Sequence, residues 1–183
     1  MSRADNFGSV RRMLIAYRGH SPRTDPTAYI QESARLIGDV TIAAQSSVWF
    51  NVVIRADVHP VRIGARTNIQ DNSTVHVTGG RWATIIGDDV TVGHAVVLHG
   101  CRVGNRCLIG IGAIVLDGVE IADDCLIAAG SLLTPGTTVP PQHLVMGSPA
   151  KVVRALRPDE LAHLRESALN YVAHAASYQA QRI

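Results

Sequence analysis

The chain has 183 residues, 46% of them hydrophobic but only 4% aromatic, so its interior must be filled by small and β-branched aliphatic side chains. A net charge of +2, with basic residues scattered and no basic run longer than Arg11-Arg12, leaves no footprint for a nucleic acid. No apolar stretch approaches the roughly 20 residues that cross a bilayer, so no membrane partner is expected.

Met13-Leu-Ile-Ala-Tyr17 is too short for a signal-peptide core, and three cysteines are an odd number for a disulfide framework. The expected setting is soluble, reducing and cytoplasmic. Residues 1–12 show no periodic pattern and are expected as a loose extension.

From there the pattern changes. Aliphatic residues recur every six positions at Ile42, Val48 and Ile54, then Ile63, Ile69 and Val75, then Ile86, Val92 and Leu98. After a step of five, Val103, Ile109, Val115, Ile121, Ile127, Leu133 and Val139 follow without a break. A period of six fits neither an α-helix at 3.6 nor an alternating strand at two. It fits a prism in which each flat face uses one hexad, with the aliphatic anchor pointing inward. The expected fold is an all-β solenoid, a left-handed parallel β-helix over residues 31–150 within a domain spanning 13–156. Three hexads make one coil, so residues 18 apart stack, and the 16 anchors give about five coils. Cys107 and Cys125 are then stacked core residues.

Beyond the repeat, Pro158 stands at a first helical position with Asp159 and Glu160 in the first turn, where the helix dipole favours acids. Leu161, Leu164, Ala168, Val172 and Ala175 recur at three and four, which predicts a helix over 157–183 packed along the outside of the prism.

The placement of the eight histidines against the anchors is informative. With 55–62 and 77–85 taken as hexads carrying extra loop residues, Ile54, Val75 and Leu98 fall on one face of successive coils. Arg55, His76 and His99 follow them at the same outward position, so the two imidazoles are expected one above the other, close enough to share a metal. His94 follows Val92 on the preceding face and cannot easily reach the same ion within one chain. A homotrimer solves this, because threefold symmetry brings the His94 face of one subunit against the His76–His99 face of its neighbour. Three neutral imidazoles leave a coordination position open, the mark of a catalytic zinc-type site.

Gln70 and Asp71 fall on the face of His94, one coil below. Gln70 is a candidate to hold a metal-bound water, and Asp71 to meet Arg55 across the interface. Asp57, two residues after Arg55, is expected to hold that guanidinium from its own chain. His20, His59, His143, His163 and His174 are expected to be surface or capping residues.

The sequence resembles the γ-class carbonic anhydrases. The resemblance runs from Met13, through Tyr17-Arg-Gly-His-Ser-Pro22, to the terminal helix. Its specific motifs are Asn51-Val-Val-Ile-Arg-Ala-Asp57, Asn68-Ile-Gln-Asp-Asn72, Val75-His-Val77 and Gly93-His-Ala-Val-Val-Leu-His-Gly100. It implies a homotrimer with zinc, or alternatively iron(II) or cobalt, at each subunit interface. The implied reaction is reversible hydration of CO2 to bicarbonate by metal-bound hydroxide. The implied roles are Gln70 orienting the hydroxide and the Arg55, Asp57 and Asp71 network setting the interface and guiding the anion. Tyr171 matches a family tyrosine that approaches the site, although the stripe Leu164-Tyr171-Tyr178 fits helix packing equally well.

The sequence departs from the active members in two places. They carry a glutamate after the aspartate that Asp57 matches, where this chain has Val58. They also carry an acidic loop with a shuttling glutamate, where residues 77–85 here contain no carboxylate. Three other readings follow. Gly147-Ser-Pro-Ala-Lys151 resembles a segment of coenzyme A-dependent acyltransferases of this fold. A metal hydroxide also suits a thioesterase, and a trimeric scaffold without catalysis would retain the metal for stability.

Overall fold

A side chain turned inward once every six residues requires a backbone that bends at every hexad. The computed structural model of the chain describes residues 13–181, in which short parallel strands stack into three flat faces. The first face stacks Leu14–Ile15, the first halves of Arg35–Ile42 and Val53–Ile63, then Thr74–His76, Val97–His99, Ile114–Val115 and Leu132–Leu133. The second stacks Tyr29–Ile30, Ser47–Val48, Asn68–Ile69, Thr91–Val92, Leu108–Ile109, Leu126–Ile127 and His143–Gly147. The third stacks Arg23–Thr24, the second halves of the two long strands, Thr84–Ile86, Arg102–Val103, Glu120–Ile121 and Thr138–Val139.

This is the parallel β-helix expected from the repeat, but each face has seven rungs rather than about five. Leu36 and Ile30 continue the six-residue period below Ile42, and Thr24 stands in register with Ile42, so the aliphatic mark fades before the coils end. The segment 55–62 carries extra residues as expected, the register advancing from Gly38–Ala56 to Val40–Val61. It belongs to the continuous strand Val53–Ile63, which rounds a corner beside Arg35–Ile42 with a register slip between Gly38 and Val40. Gly38 permits that bend: its φ is +78°, and a Cβ there would lie 2.3 Å from the carbonyl oxygen of Ala56.

The anchors fill a continuous core, with Leu36, Ile42, Ile54, Ile69, Ile86, Leu98, Ile109, Ile127 and Leu133 all fully buried. Each contributes on the order of 2 kcal/mol by leaving water. Cys107 and Cys125 stack within this core, their thiols donating to the carbonyls of Ala122 and Pro140 at 3.2 Å. Cys101 is buried as well, and burial pushes its thiol up to about 12.

One corner runs up the column through Gln45, Arg66, Asp89, Arg106, Asp124 and Gln142, all left-handed with φ between 54° and 62°. Side chains of this column pair across coils. Arg66 Nη2 lies 2.7 Å from Asp89 Oδ2, and Arg106 Nε lies 2.7 Å from Asp124 Oδ1. Beside them, the backbone amides of Ala65, Asp88 and Asn105 donate to Asp88, Asn105 and Asp123 in the coil above, at 2.7, 2.9 and 2.8 Å. These side chains satisfy the amides that a tight corner leaves outside the strand ladder.

At the end of the prism His143–Gly147 folds back on Ala150–Ala155 as an antiparallel pair, which covers the exposed strand edge. The chain then enters the helix Pro158–Gln181, with Asp159 and Glu160 in its first turn. Arg154 grips Glu160 through two contacts of 2.8 Å. Leu164, Ala168 and Ala175 of the expected stripe are buried against the second face. The helix is fixed further by Tyr171 and Tyr178 against Trp49, with ring centroids 5.6 and 5.1 Å away. No helix among the described residues is long and apolar enough to cross a membrane.

Candidate metal centre

The parallel pairing of Thr74–His76 with Val97–His99 sets His99 directly opposite His76 where the first face ends. Nδ1 of His76 stands 3.0 Å from Nε2 of His99. The second nitrogen of each ring meets a carboxylate: His76 Nε2 is 3.0 Å from Asp57 Oδ1, and His99 Nδ1 is 2.7 Å from Asp117 Oδ1. Asp57 is paired in turn with Arg55, and Asp117 accepts the Thr78 hydroxyl at 2.7 Å. Burial alone would raise both carboxyls. Hydrogen bonds from His76 and Arg55 to Asp57, and from His99 and Thr78 to Asp117, more than offset it and hold both below the usual carboxylate range. Such partners fix the ring orientation and tautomer of histidines that ligate metals.

The donor set fits a zinc-type ion. Two imidazoles bonded at about 2.0 Å to a tetrahedral ion must lie roughly 3.3 Å apart, close to the separation found here. Among the described residues no three His, Cys, Asp or Glu side chains of this one chain gather around a common point. His76 and His99 are thus two candidate ligands at this edge, and a zinc-type ion held by them would need further donors from elsewhere.

His94 lies on the other edge, beyond the second-face strand Thr91–Val92. Its Nδ1 is 2.7 Å from Asp71 Oδ2, and Asp71 also accepts the backbone amide of Phe50 at 3.2 Å. Within one subunit Asp71 thus pairs with His94, while Arg55 pairs with Asp57. Gln70 is nearly buried one coil below. Its Nε2 donates to Asn68 Oδ1 at 3.0 Å, Asn68 Nδ2 donates to Thr91 Oγ1 at 3.0 Å, and Thr91 meets Ser167 of the helix at 3.0 Å. Tyr171 packs on Trp49 and His174 in the aromatic cluster. Its phenol is raised first by burial and then by the charge of Asp71.

The structure therefore gathers Arg55, Asp57, His76 and His99 at one edge, and Gln70, Asp71, His94 and Tyr171 along another. Asp117 was missed by sequence reasoning, although it lies 18 residues after His99, one coil above. Gly100 protects it: with φ +58°, a Cβ at this position would fall 2.2 Å from Asp117 Oδ1 and 2.8 Å from Trp82 Cβ. Beside the pair, Val58 is 48% exposed, and 78–82 closes as a tight turn in which Thr78 and Trp82 exchange backbone hydrogen bonds of 2.9 Å.

Residues 100–135 match the family described as bacterial transferase hexapeptide (six repeats). The chain is 44% identical to a carbonic anhydrase of Geobacillus kaustophilus, over 92% of each. It is 42% identical to the mitochondrial γ carbonic anhydrase 1 of Arabidopsis thaliana, over 92% of this chain, and spans 64% of that protein's length. The crystal structure of a hexapeptide transferase family protein from Anaplasma phagocytophilum superposes with a TM-score of 0.89 at 43% identity, over 92% of this chain and 99% of that one. The chain belongs to the γ carbonic anhydrase-like family of hexapeptide-repeat proteins.

Proposed function

We propose that the protein is a metal-dependent γ-class carbonic anhydrase that hydrates CO2 reversibly at sites shared between subunits of a homotrimer. The observation that carries this reading is the His76–His99 pair, two imidazole nitrogens 3.0 Å apart with each ring tethered to its own carboxylate. An acyltransferase needs one histidine as base and has no use for such a pair. The partner subunit's His94 would complete the donor set, since a threefold axis presents the second-face edge of one subunit to the first-face edge of the next.

Zinc, with iron(II) or cobalt as alternatives, would supply Lewis acidity there, lowering the pKa of a coordinated water to about 7 as zinc does in carbonic anhydrase itself. The chain's own residues do the rest. Asp57 and Asp117 hold the two rings in register, and Asp71 does the same for His94. With Gln70 Nε2 engaged by Asn68, its Oε1 would be the atom to accept a hydrogen bond and aim a water. Arg55, half-exposed and steadied by Asp57, presents a cation to the departing bicarbonate. With Val58 and the 78–82 turn offering no carboxylate, the proton leaves to buffer, and turnover should rise with imidazole buffer concentration.

The test is stopped-flow CO2 hydration by protein purified without oxygen, with its metal quantified, beside His99→Ala. A rate above buffer that disappears in the variant is expected. No rate from fully metallated protein would retire this reading, and a panel of acyl-CoA thioesters would be assayed next.

A further inference from the structure

Asp57 also borders a cleft of about 400 Å3 lined by Arg18, His20, Asp39, Val58 and His59. Its two carboxylates are already neutralised: Asp39 Oδ2 lies 2.8 Å from Arg62 Nη2, and Asp57 is paired with Arg55. Arg18 is different. It has no carboxylate partner among the described residues, and its guanidinium lies only over the ring of Tyr17, 5.3 Å from the centroid. A tight turn holds it at the rim, with Tyr17 N donating to His20 O at 2.8 Å and His20 N to Tyr17 O at 3.0 Å.

The second observation is independent of charge. Nδ1 of His59 is buried and has no hydrogen-bond partner among the described residues. Leaving such a group unpaired is costly, so a native fold that keeps one is expected to offer it a water or a ligand. We propose that this cleft binds a small oxyanion, bicarbonate or inorganic phosphate in its chemistry, with Arg18 supplying the charge and His59 and His20 supplying N–H donors. With Asp39 and Asp57 paired to Arg62 and Arg55, the guanidinium of Arg18 and the imidazoles match a compact anion with several acceptor oxygens. The site requires neither bound metal nor CO2 hydration, so its failure and that of the proposed activity are separable.

The experiment follows the histidine ring resonances of full-length, metal-loaded protein carrying 15N-histidine. Sodium bicarbonate, sodium phosphate and sodium chloride are titrated at constant pH and ionic strength. A saturable shift of the His59 signal with either oxyanion, beyond any shift with chloride, is expected. In Arg18→Gln that binding should weaken at least fivefold, and in His59→Gln the His20 signal should report the same loss. His99→Ala should retain it. A bicarbonate preference would make the cleft a staging site for that anion, and a phosphate preference a site for phosphate; both support the assignment. No saturable shift with either oxyanion overturns it. So does a shift abolished by His99→Ala but untouched by Arg18→Gln, because the anion would then sit at the histidine pair.

Discussion

Asp117 does for His99 what Asp57 does for His76, and the two carboxylates differ in how visible they are from sequence. Asp57 shares a strand with Arg55 and points to the same side, so spacing alone exposes the pair. Asp117 has no motif around it, and only the 18-residue coil brings it to His99 Nδ1 at 2.7 Å. Asp117→Asn should weaken metal affinity by about 10- to 100-fold, read by chelator competition. Gly100→Ala should do at least as much by driving its Cβ into Asp117 Oδ1; affinity unchanged in that variant would remove the orienting role given to Asp117. Val58 permits a gain-of-function test. Val58→Glu should raise CO2 hydration about tenfold or more in weak buffer and make it less dependent on imidazole. Unchanged buffer dependence would show that proton export does not limit turnover.

Among the elements, the strands were the most legible, because a six-residue aliphatic period leaves almost no alternative to a three-faced prism. The extra residues between Ile54 and Ile63 were legible too, but not that they form one continuous strand, since a ribbon rounding a corner carries the same residues as a loop inserted in a hexad. The helix was visible from Pro158 and its acidic first turn, but its aromatic seat was not. Trp49 comes from a second-face turn, and no spacing relates it to Tyr171 and Tyr178. The ion pair that starts the helix makes a pH prediction. Hydrogen bonds from Arg154 and the amide of Arg157 lower the Glu160 carboxyl to about 2, against an ordinary 4.5. A depressed carboxyl stabilises the folded state fully above its unfolded value and loses that contribution as pH falls through its folded value. Helix docking should therefore loosen between about pH 4.5 and pH 2, followed by the fluorescence of Trp49 against its tyrosines. Glu160→Gln should flatten that part of the profile; an unaltered profile would assign the change to other carboxylates.

At the scale of the whole molecule, the chain sets the two groups of residues in the proposed centre on different edges of the prism. His76 and His99 are held at one edge by Asp57 and Asp117, and His94 at another by Asp71. Face counting separated these halves from sequence because the repeat converts residue number directly into direction. It could not say how each half is braced, since the bracing depends on side-chain contacts between coils. Because the proposed centre joins His94 of one subunit to His76 and His99 of another, subunit exchange is the most direct measurement. His94→Ala and His99→Ala alone should each bind no metal at the site. Mixed in equal amounts and allowed to exchange, they should recover about one quarter of the wild-type metal content, because each interface has that chance of joining two intact halves. CO2 hydration should return in the same proportion. Full metal in either variant alone, or no recovery after verified exchange, would contradict a centre shared between subunits.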